Sequence, residues 1–302
     1  MTENEIDKII RMKKQGNTHR VIAKEVGRSP ATVHTVLAKY FYPKQETVVD
    51  NKPKILIFDI ETSPILAYCW GLFKQNIPIQ AIKQDWQVLT WAGKWLGAGG
   101  VMFSTQANVS EEEVVRHLWH ILDEADVVVA HNGARFDVKK MNAKFLEFGL
   151  GEPSPFKVVD TLHIVKARFA LTSNKLDYIA KFLGGEGKME HEGLKMWLDF
   201  MDGKEEAQQR MLDYNIQDVY ELEEIYVELQ GWNRRAPNLA LYYNDGEHRC
   251  NICGGTHLNK VEGRSAYTNV SKFDLYRCGD CSGYVRGRKN TATRDNLNMN
   301  VT

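Results

Sequence analysis

The strand-like run Ile55-Leu56-Ile57-Phe58-Asp59-Ile60-Glu61 carries two acids where burial is expected. Side chains alternate along a strand, so Ile55, Ile57, Asp59 and Glu61 share one face. Two neighbouring carboxylates at the end of an apolar strand repel each other and lose hydration unless a cation lies between them. A strand that simply ends in solvent is the plain alternative. Asp137 repeats the theme on a helix, with Met141, Phe145 and Phe148 following at four, eight and eleven residues. At about 100° per residue these fall on one stripe, so Asp137 heads a buried face. A helix-capping role is the alternative there. Asp218 is followed on its own stripe by Leu222, Ile225 and Leu229, with Tyr214 one turn earlier. No Lys or Arg stands three or four residues from Asp218 to pair with it, and a buried carboxylate needs a partner. Four acids without His or Cys are hard oxygen ligands, which select Mg²⁺ or Mn²⁺. Two such ions, roughly 3.5–4 Å apart, stabilise the attacking and the leaving oxygen in phosphodiester hydrolysis.

A second constellation lies near the C-terminus. Cys250-Asn251-Ile252-Cys253-Gly254 and Cys278-Gly279-Asp280-Cys281-Ser282-Gly283 are two paired knuckles closing on glycines. They resemble a zinc ribbon with tetrahedral four-sulfur coordination of one structural Zn²⁺. His248 and His257 are near, but four sulfurs already fill such a site. The fifth cysteine, Cys69, is expected to be plain core. Arg249, Arg264, Arg277, Arg286, Arg288 and Lys289, with Tyr267, Phe273, Tyr276 and Tyr284, are candidates for a basic, aromatic face; a purely structural ribbon is the alternative.

The elements that must hold these residues separate by pattern. Residues 3–41 read as three short helices and 42–51 as a linker. Residues 53–230 alternate strand-like and helix-like runs. Gln87–Leu96 and Val101–Thr105 make a hairpin, and Ser110 with Glu113 opens a helix running to about Ala125. Asp126–Ala130 is a buried strand, then a helix spans about Arg135 to Phe148. A long helix covers about Lys204 to Leu229. Residues 290–302 are polar and expected to be disordered. The fold class is α/β, a mixed sheet with helices on both faces plus two small modules.

The chain has 302 residues, 43% hydrophobic and 26% charged, as in an ordinary globular protein. Its polar, helix-like N-terminus is not expected to be a secretory signal, and no apolar run approaches the roughly 18 residues that a membrane span needs. A reducing cytoplasm is the expected location, and no membrane partner is expected. The formal charge of zero conceals basic ends: residues 1–45 hold nine basic against four acidic residues, and 234–302 hold eleven against six. The middle is left with nineteen basic and twenty-nine acidic. Such ends suggest contacts with nucleic acid.

Taken together, the central residues resemble the DEDD superfamily of 3′–5′ exonucleases, in its tyrosine branch, with an RNase H-like fold. Asp59-Ile60-Glu61-Thr62 is similar to the first motif, Asn132-Gly133-Ala134-Arg135-Phe136-Asp137 to the second, and Tyr214-Asn215-Ile216-Gln217-Asp218 to the third. The histidine branch places His where Asp213 stands here. The resemblance implies that Asp59, Glu61, Asp137 and Asp218 hold two metal ions, that Tyr214 orients the attacking water and that Asn132 touches substrate. Asp160 resembles a further strand-end element, with strand termination as the alternative. Asn174 and Asp177 also fit the pattern, but a helix cap with an acid at its third position explains them.

Residues 19–38 resemble the helix-turn-helix of bacterial and phage DNA-binding proteins. Ala23, Gly27 and Val33 occupy its small, glycine and aliphatic positions, Ser29 is a natural N-cap and Pro30 a natural first helical residue. Such a unit would present Thr32, His34, Thr35 and Lys39 to the major groove, with Arg28 close to phosphate. A protein-interaction module is the alternative. The expected organisation is therefore a helix-turn-helix over residues 1–42, an RNase H-like exonuclease over 52–232, a zinc ribbon over 247–289 and a tail. The expected substrate is nucleic acid, DNA before RNA, and any proofreading would serve a separate replication or repair partner. An RNA- or structure-directed nuclease, or a DNA-binding regulator with an inert nuclease domain, are the competing readings. The module combination suggests a phage or bacterial source.

Overall fold

The computed structural model describes residues 2–14, 19–28, 32, 33, 36, 52–185, 187, 189 and 192–293. The chain divides into two compact units, one of residues 1–50, 54–158 and 189–219 and the other of 51–53, 159–188 and 220–302. This partition joins the cysteine-bearing segment to the second half of the long helix, across the boundary that composition suggests at 232.

In chain order the N-terminal elements are α1 (Glu3–Lys14) and α2 (His19–Val26). They close on a small core of Ile9, Ile10, Ile22, Ala23, Val33 and Val36. Gly27 adopts φ +64° directly after α2, where the Arg28 N–H donates to the Ala23 carbonyl at 3.0 Å. A left-handed residue after a helix is where glycine costs least. Thr32, Val33 and Val36 are helical, and the remainder of the expected third helix lies outside the described residues.

The strands that follow are β1 (Ile55–Thr62), the short pair β2 (Leu66–Ala67) and β3 (Ile82–Gln84), then β4 (Val88–Trp95) and β5 (Met102–Thr105). Helix α3 (Glu111–Glu124) leads to β6 (Val127–Ala130), α4 (Asp137–Glu147) and β7 (Lys157–Asp160). Five of these strands form one sheet in the order β5-β4-β1-β6-β7, with β1 antiparallel to β4 and parallel to β6. This is the expected mixed sheet, with the acid-bearing β1 at its centre.

Alternation along β1 decides what each face does. Leu56, Phe58 and Ile60 join Val128 and Ala130 in a core covered by Val114, Leu118 and Leu122 of α3 and by Met141 and Phe145 of α4. The helix α3 is held down by Trp91 Nε1, which donates to the Val114 carbonyl at 2.9 Å, and by the Val88 N–H, which donates to Glu111 at 2.8 Å. Its start is the expected capping box between Ser110 and Glu113. On the opposite face, Leu89 of β4 packs with Met196 and Phe200 of α7 (Leu194–Met201) and with Met211 and Tyr214 of α8 (Glu205–Leu229). Asp59 and Glu61 point to this second face, by the alternation that buries Phe58 and Ile60 on the first.

Between β7 and α7 lie α5 (Thr161–Arg168) and α6 (Leu176–Phe182), and after α8 a three-stranded sheet forms from β8 (Leu258–Thr268), β9 (Ser271–Cys278) and β10 (Tyr284–Asn290), in the order β10-β9-β8.

Four expectations need correcting. The helix after β6 begins at Asp137 rather than Arg135, because residues 133–136 form a turn. Asn174 is not the cap of α6: the N-cap is Lys175, without a side-chain hydrogen bond, and Asp177 pairs with Lys181 at 2.9 Å one turn on. Cys69 is exposed rather than core, since it belongs to the excursion between β1 and β4 and not to either strand. The polar tail starts later than residue 290, because β10 reaches Asn290 and the Thr291 N–H donates to the Lys272 carbonyl at 2.7 Å. Residues 294–302 lie outside the described residues.

Candidate metal centres

The fold brings three of the four singled-out acids together. One carboxylate oxygen from each of Asp59, Glu61 and Asp218 lies within 4.8 Å of the other two. Asp218 is buried on α8 and faces the end of β1, where Asp59 and Glu61 are half-buried. The β1–β4 register shifts between Glu61 and Thr62, so Glu61 sits opposite Thr90 but Thr62 opposite Val88. Such irregularities turn a strand and re-aim side chains beside it. Three carboxylates at this spacing repel one another when ionised, and a hard divalent cation removes that repulsion. The all-oxygen donor set fits Mg²⁺ or Mn²⁺ by the chemistry of its atoms.

Asp137 is not a member of that trio. It is buried as the first residue of α4, on the stripe with Met141 and Phe145 that its spacing implies. The turn that carries it there depends on two neighbours. Asn132 adopts φ +68°, and its carbonyl accepts the N–H groups of Arg135 and Phe136 at 3.1 and 3.0 Å. A Cβ on Gly133 would stand 2.3 Å from Ala130 Cβ and 3.6 Å from Asp137 Oδ2. Gly133→Ala should therefore push the turn away from β6 and displace Asp137. Soluble protein with parental thermal stability and parental nuclease activity would count against that reading.

Tyr214 lies one turn before Asp218 on α8, buried among Leu89, Met196, Phe200 and Met211, with the Trp197 ring edge-on at 6.4 Å. A residue that the sequence reading passed over completes the centre. Asn215 is fully buried, and its Nδ2 donates to Asp59 Oδ2 at 2.8 Å, joining α8 to β1. Its position three residues before Asp218 on one helix face was the available signal. Asn215→Ala should release Asp59 and weaken metal affinity or turnover about 10–100-fold, as loss of a group that orients a ligand does. Metal titration of the variant, showing an unchanged midpoint alongside unchanged turnover, would remove Asn215 from the site.

Asp160 caps α5 in the second unit, accepting the N–H groups of Leu162 and His163 at 3.0 and 3.4 Å. Of the residues expected at DNA, Arg28 is exposed and bonded to Glu5 at 3.0 Å, and Thr32 is half-buried. His34, Thr35 and Lys39 lie outside the described residues.

The four cysteines converge as a separate centre. Cys250, Cys253, Cys278 and Cys281 place their sulfurs within 4.8 Å of one another, Cys250 and Cys278 being buried. Each knuckle is tied by its backbone, the Cys250 N–H donating to the Gly255 carbonyl at 2.7 Å and the Cys278 N–H to the Gly283 carbonyl at 2.9 Å. Hydrogen bonds from Cys253 and Cys281 pull the Cys250 thiol far below its ordinary range, while the Cys250 contact pushes Cys253 up and Cys281 up to about 12. The four sulfurs ionise together only with a cation among them, which suits Zn²⁺. Neither nearby His completes the cluster: His257 bonds to Asp280 at 2.7 Å and His248 meets the Tyr276 ring edge-on. The β9–β10 register puts Arg277 beside Tyr284 and Arg286 beside Leu275, with Arg286 over the Phe273 ring at 4.0 Å. Tyr276 and Tyr267 belong to the other face, and Arg249 is engaged with Asp245 and stacked 4.1 Å over Tyr243.

The family model described as the RNase H superfamily matches residues 88–230, which include Asp137, Tyr214 and Asp218 and begin after β1. No curated protein matches the chain significantly. Among solved structures, a family B DNA polymerase from the hyperthermophilic archaeon Pyrobaculum calidifontis is similar at a TM-score of 0.43 and 16% identity, over 74% of this chain and 33% of that one. The chain thus spans about a third of that polymerase's length.

Proposed function

From the premise that residues 88–230 form an RNase H-superfamily domain, we propose that the chain is a divalent-metal-dependent 3′–5′ exonuclease acting on nucleic acid, DNA in the first instance. The observation that carries this reading is the convergence of Asp59, Glu61 and Asp218 from β1 and α8. Bound Mg²⁺ or Mn²⁺ ions would supply charge neutralisation at the phosphate and a more acidic water. Asp59, Glu61 and Asp218 would hold one ion, with Asp137 completing the ligand set for a second. Asn215 keeps Asp59 turned toward α8, and Tyr214 would orient the water that attacks phosphorus. The N-terminal helices, as a helix-turn-helix, and the basic C-terminal strands would recruit the polyanion to an otherwise acidic middle segment. A protein with an inert nuclease domain would be expected to lose one of these acids, and all are present.

Incubating the full chain with end-labelled single-stranded DNA, duplex DNA and RNA in Mg²⁺ tests the proposal. Stepwise shortening of a 5′-labelled strand is the expected result. Immediate release of the 5′ label with no ladder would overturn the 3′–5′ direction, and full activity in EDTA would overturn metal dependence. Tyr214→Phe should slow turnover on the order of 10–1,000-fold without weakening substrate binding, because it misplaces a nucleophile and removes no ligand. Parental turnover in that variant would dismiss the phenol from the reaction.

A further inference from the structure

The chain joining β1 to β4 leaves the sheet as an excursion rather than a tight turn. Its base is closed by the Ser63 N–H donating to the Gln87 carbonyl at 2.8 Å and the Gln87 N–H donating to Ser63 Oγ at 2.9 Å. The β2–β3 ladder pairs Leu66 with Gln84 and Ala67 with Ile82, and the Tyr68 N–H donates to the Ala81 carbonyl at 2.9 Å. Its tip is braced as well. Gln75 Oε1 accepts the Trp70 N–H at 3.2 Å, and its Nε2 lies so close over Gly71 that a Cβ there would stand 2.7 Å away.

This built turn holds its apolar side chains in water. Trp70, Leu72, Phe73, Ile79 and Tyr68 are 105%, 88%, 86%, 83% and 70% exposed. Five large apolar side chains exposed within twelve residues of one braced turn suit an interaction site. The charge pattern says which kind. Residues 63–87 contain Lys74, Lys83 and a single acid, Asp85, next to the base, inside a middle segment where acids outnumber bases twenty-nine to nineteen. Aromatic faces interleaved with lysines and amides, with the one acid kept at the base, suit a polyanion that carries flat bases. The spacing permits this, since the excursion begins at Ser63, two residues after Glu61, and Trp70 follows Glu61 by nine residues. A chain of that length reaches at most roughly 30 Å.

We propose that this excursion is a stacking platform for the bases of the single strand whose phosphodiester lies at the Asp59–Glu61–Asp218 centre, with Trp70 and Phe73 as its principal contacts. The inference rests on the nuclease reading and adds to it where the strand lies and that an unpaired strand is the form held there. It makes the aromatic side chains affinity determinants that leave the chemical step untouched.

The test uses the full chain and its Trp70→Ala, Phe73→Ala, doubly substituted and Trp70→Phe variants. Fluorescence anisotropy in EDTA measures binding of a 5′-labelled oligothymidylate of about 16 nucleotides. Hydrolysis of the p-nitrophenyl ester of thymidine 5′-phosphate in Mg²⁺ reports the chemistry on a substrate with a single base. Each alanine substitution should weaken oligonucleotide binding roughly 5- to 100-fold, the range for losing one base–aromatic stack. Trp70→Phe should restore most of that affinity, and turnover at saturating ester should match the parent throughout. Parental oligonucleotide affinity in the double variant overturns the platform. So does affinity that is unchanged while self-association seen by sedimentation disappears, which would make the patch a protein-docking surface. Trp70-dependent oligonucleotide binding by a parent that hydrolyses nothing in Mg²⁺ would uphold the platform and reject the nuclease reading instead.

Discussion

Asp218→Asn is expected to lower hydrolysis at saturating Mg²⁺ by on the order of a thousand-fold or more. The substitution keeps size and hydrogen-bonding shape but removes the buried charge from a trio whose oxygens lie within 4.8 Å of one another. A metal clamp contributes several kcal/mol to stabilising a phosphoryl transition state, and each 1.4 kcal/mol, roughly, is a factor of ten in rate. The same variant should melt, without metal, at or above the parental temperature, because removing one of three mutually repelling carboxylates relieves the folded state. This pairing of opposite signs separates a metal ligand from a structural acid: a plain core residue would lose stability along with activity. Asp59→Ala and Glu61→Ala should behave alike in activity. Asp137→Ala tests whether the acid outside the trio joins a second ion, and parental turnover would reduce the centre to one metal. Calorimetric titration with Mn²⁺ giving the same stoichiometry in Asp218→Asn as in the parent would sink the assignment.

The second large effect is expected at the cysteines. The parent should contain one zinc per chain, and Cys278→Ser should contain nearly none. Apparent zinc binding energies of roughly 10–16 kcal/mol in small cysteine modules rival the whole stability of a domain, so the strands β8, β9 and β10 should lose cooperative folding. The damage should also spread. Gly231, just beyond α8, lies where a Cβ would come within 2.3 Å of the Cys281 carbonyl oxygen and 3.0 Å of the Gly283 nitrogen. The second half of α8 belongs to the same compact unit as the knuckles. Loss of zinc is therefore expected to loosen the helix that carries Tyr214 and Asp218, and turnover should fall although no cysteine touches the acids. Acid should reproduce this, because the sulfurs must be deprotonated to hold the ion. Elemental analysis with a parallel thermal melt checks the prediction. A zinc-free Cys278→Ser protein with the parental melt and parental turnover would refute both parts.

How much was legible beforehand divides along physical lines. Local period and the cost of burying charge specify one part of the site without reference to any other segment. The alternation along β1 assigned Asp59 and Glu61 to one face, and the buried stripes of α4 and α8 run through Asp137 and Asp218 as their spacing requires. The four cysteines were equally readable, since two knuckles closing on glycines form a recognisable four-sulfur pattern, and the fold gathers them. Only the tertiary structure decided contacts between residues far apart in the chain. It drew Asp59, Glu61 and Asp218 into one cluster and left Asp137 out, a difference that turns on where the Asn132-Gly133 turn starts α4. It chose Asn215 as the partner of Asp59, a pairing across 156 positions that no helical or strand period encodes. It also put Cys69 in solvent and lifted Trp70 and Phe73 out with it, because the run between β1 and β4 folds back into its own two-stranded ladder. Period and composition report what a segment would bury if a surface were offered. Whether that surface exists is settled by the packing of other segments.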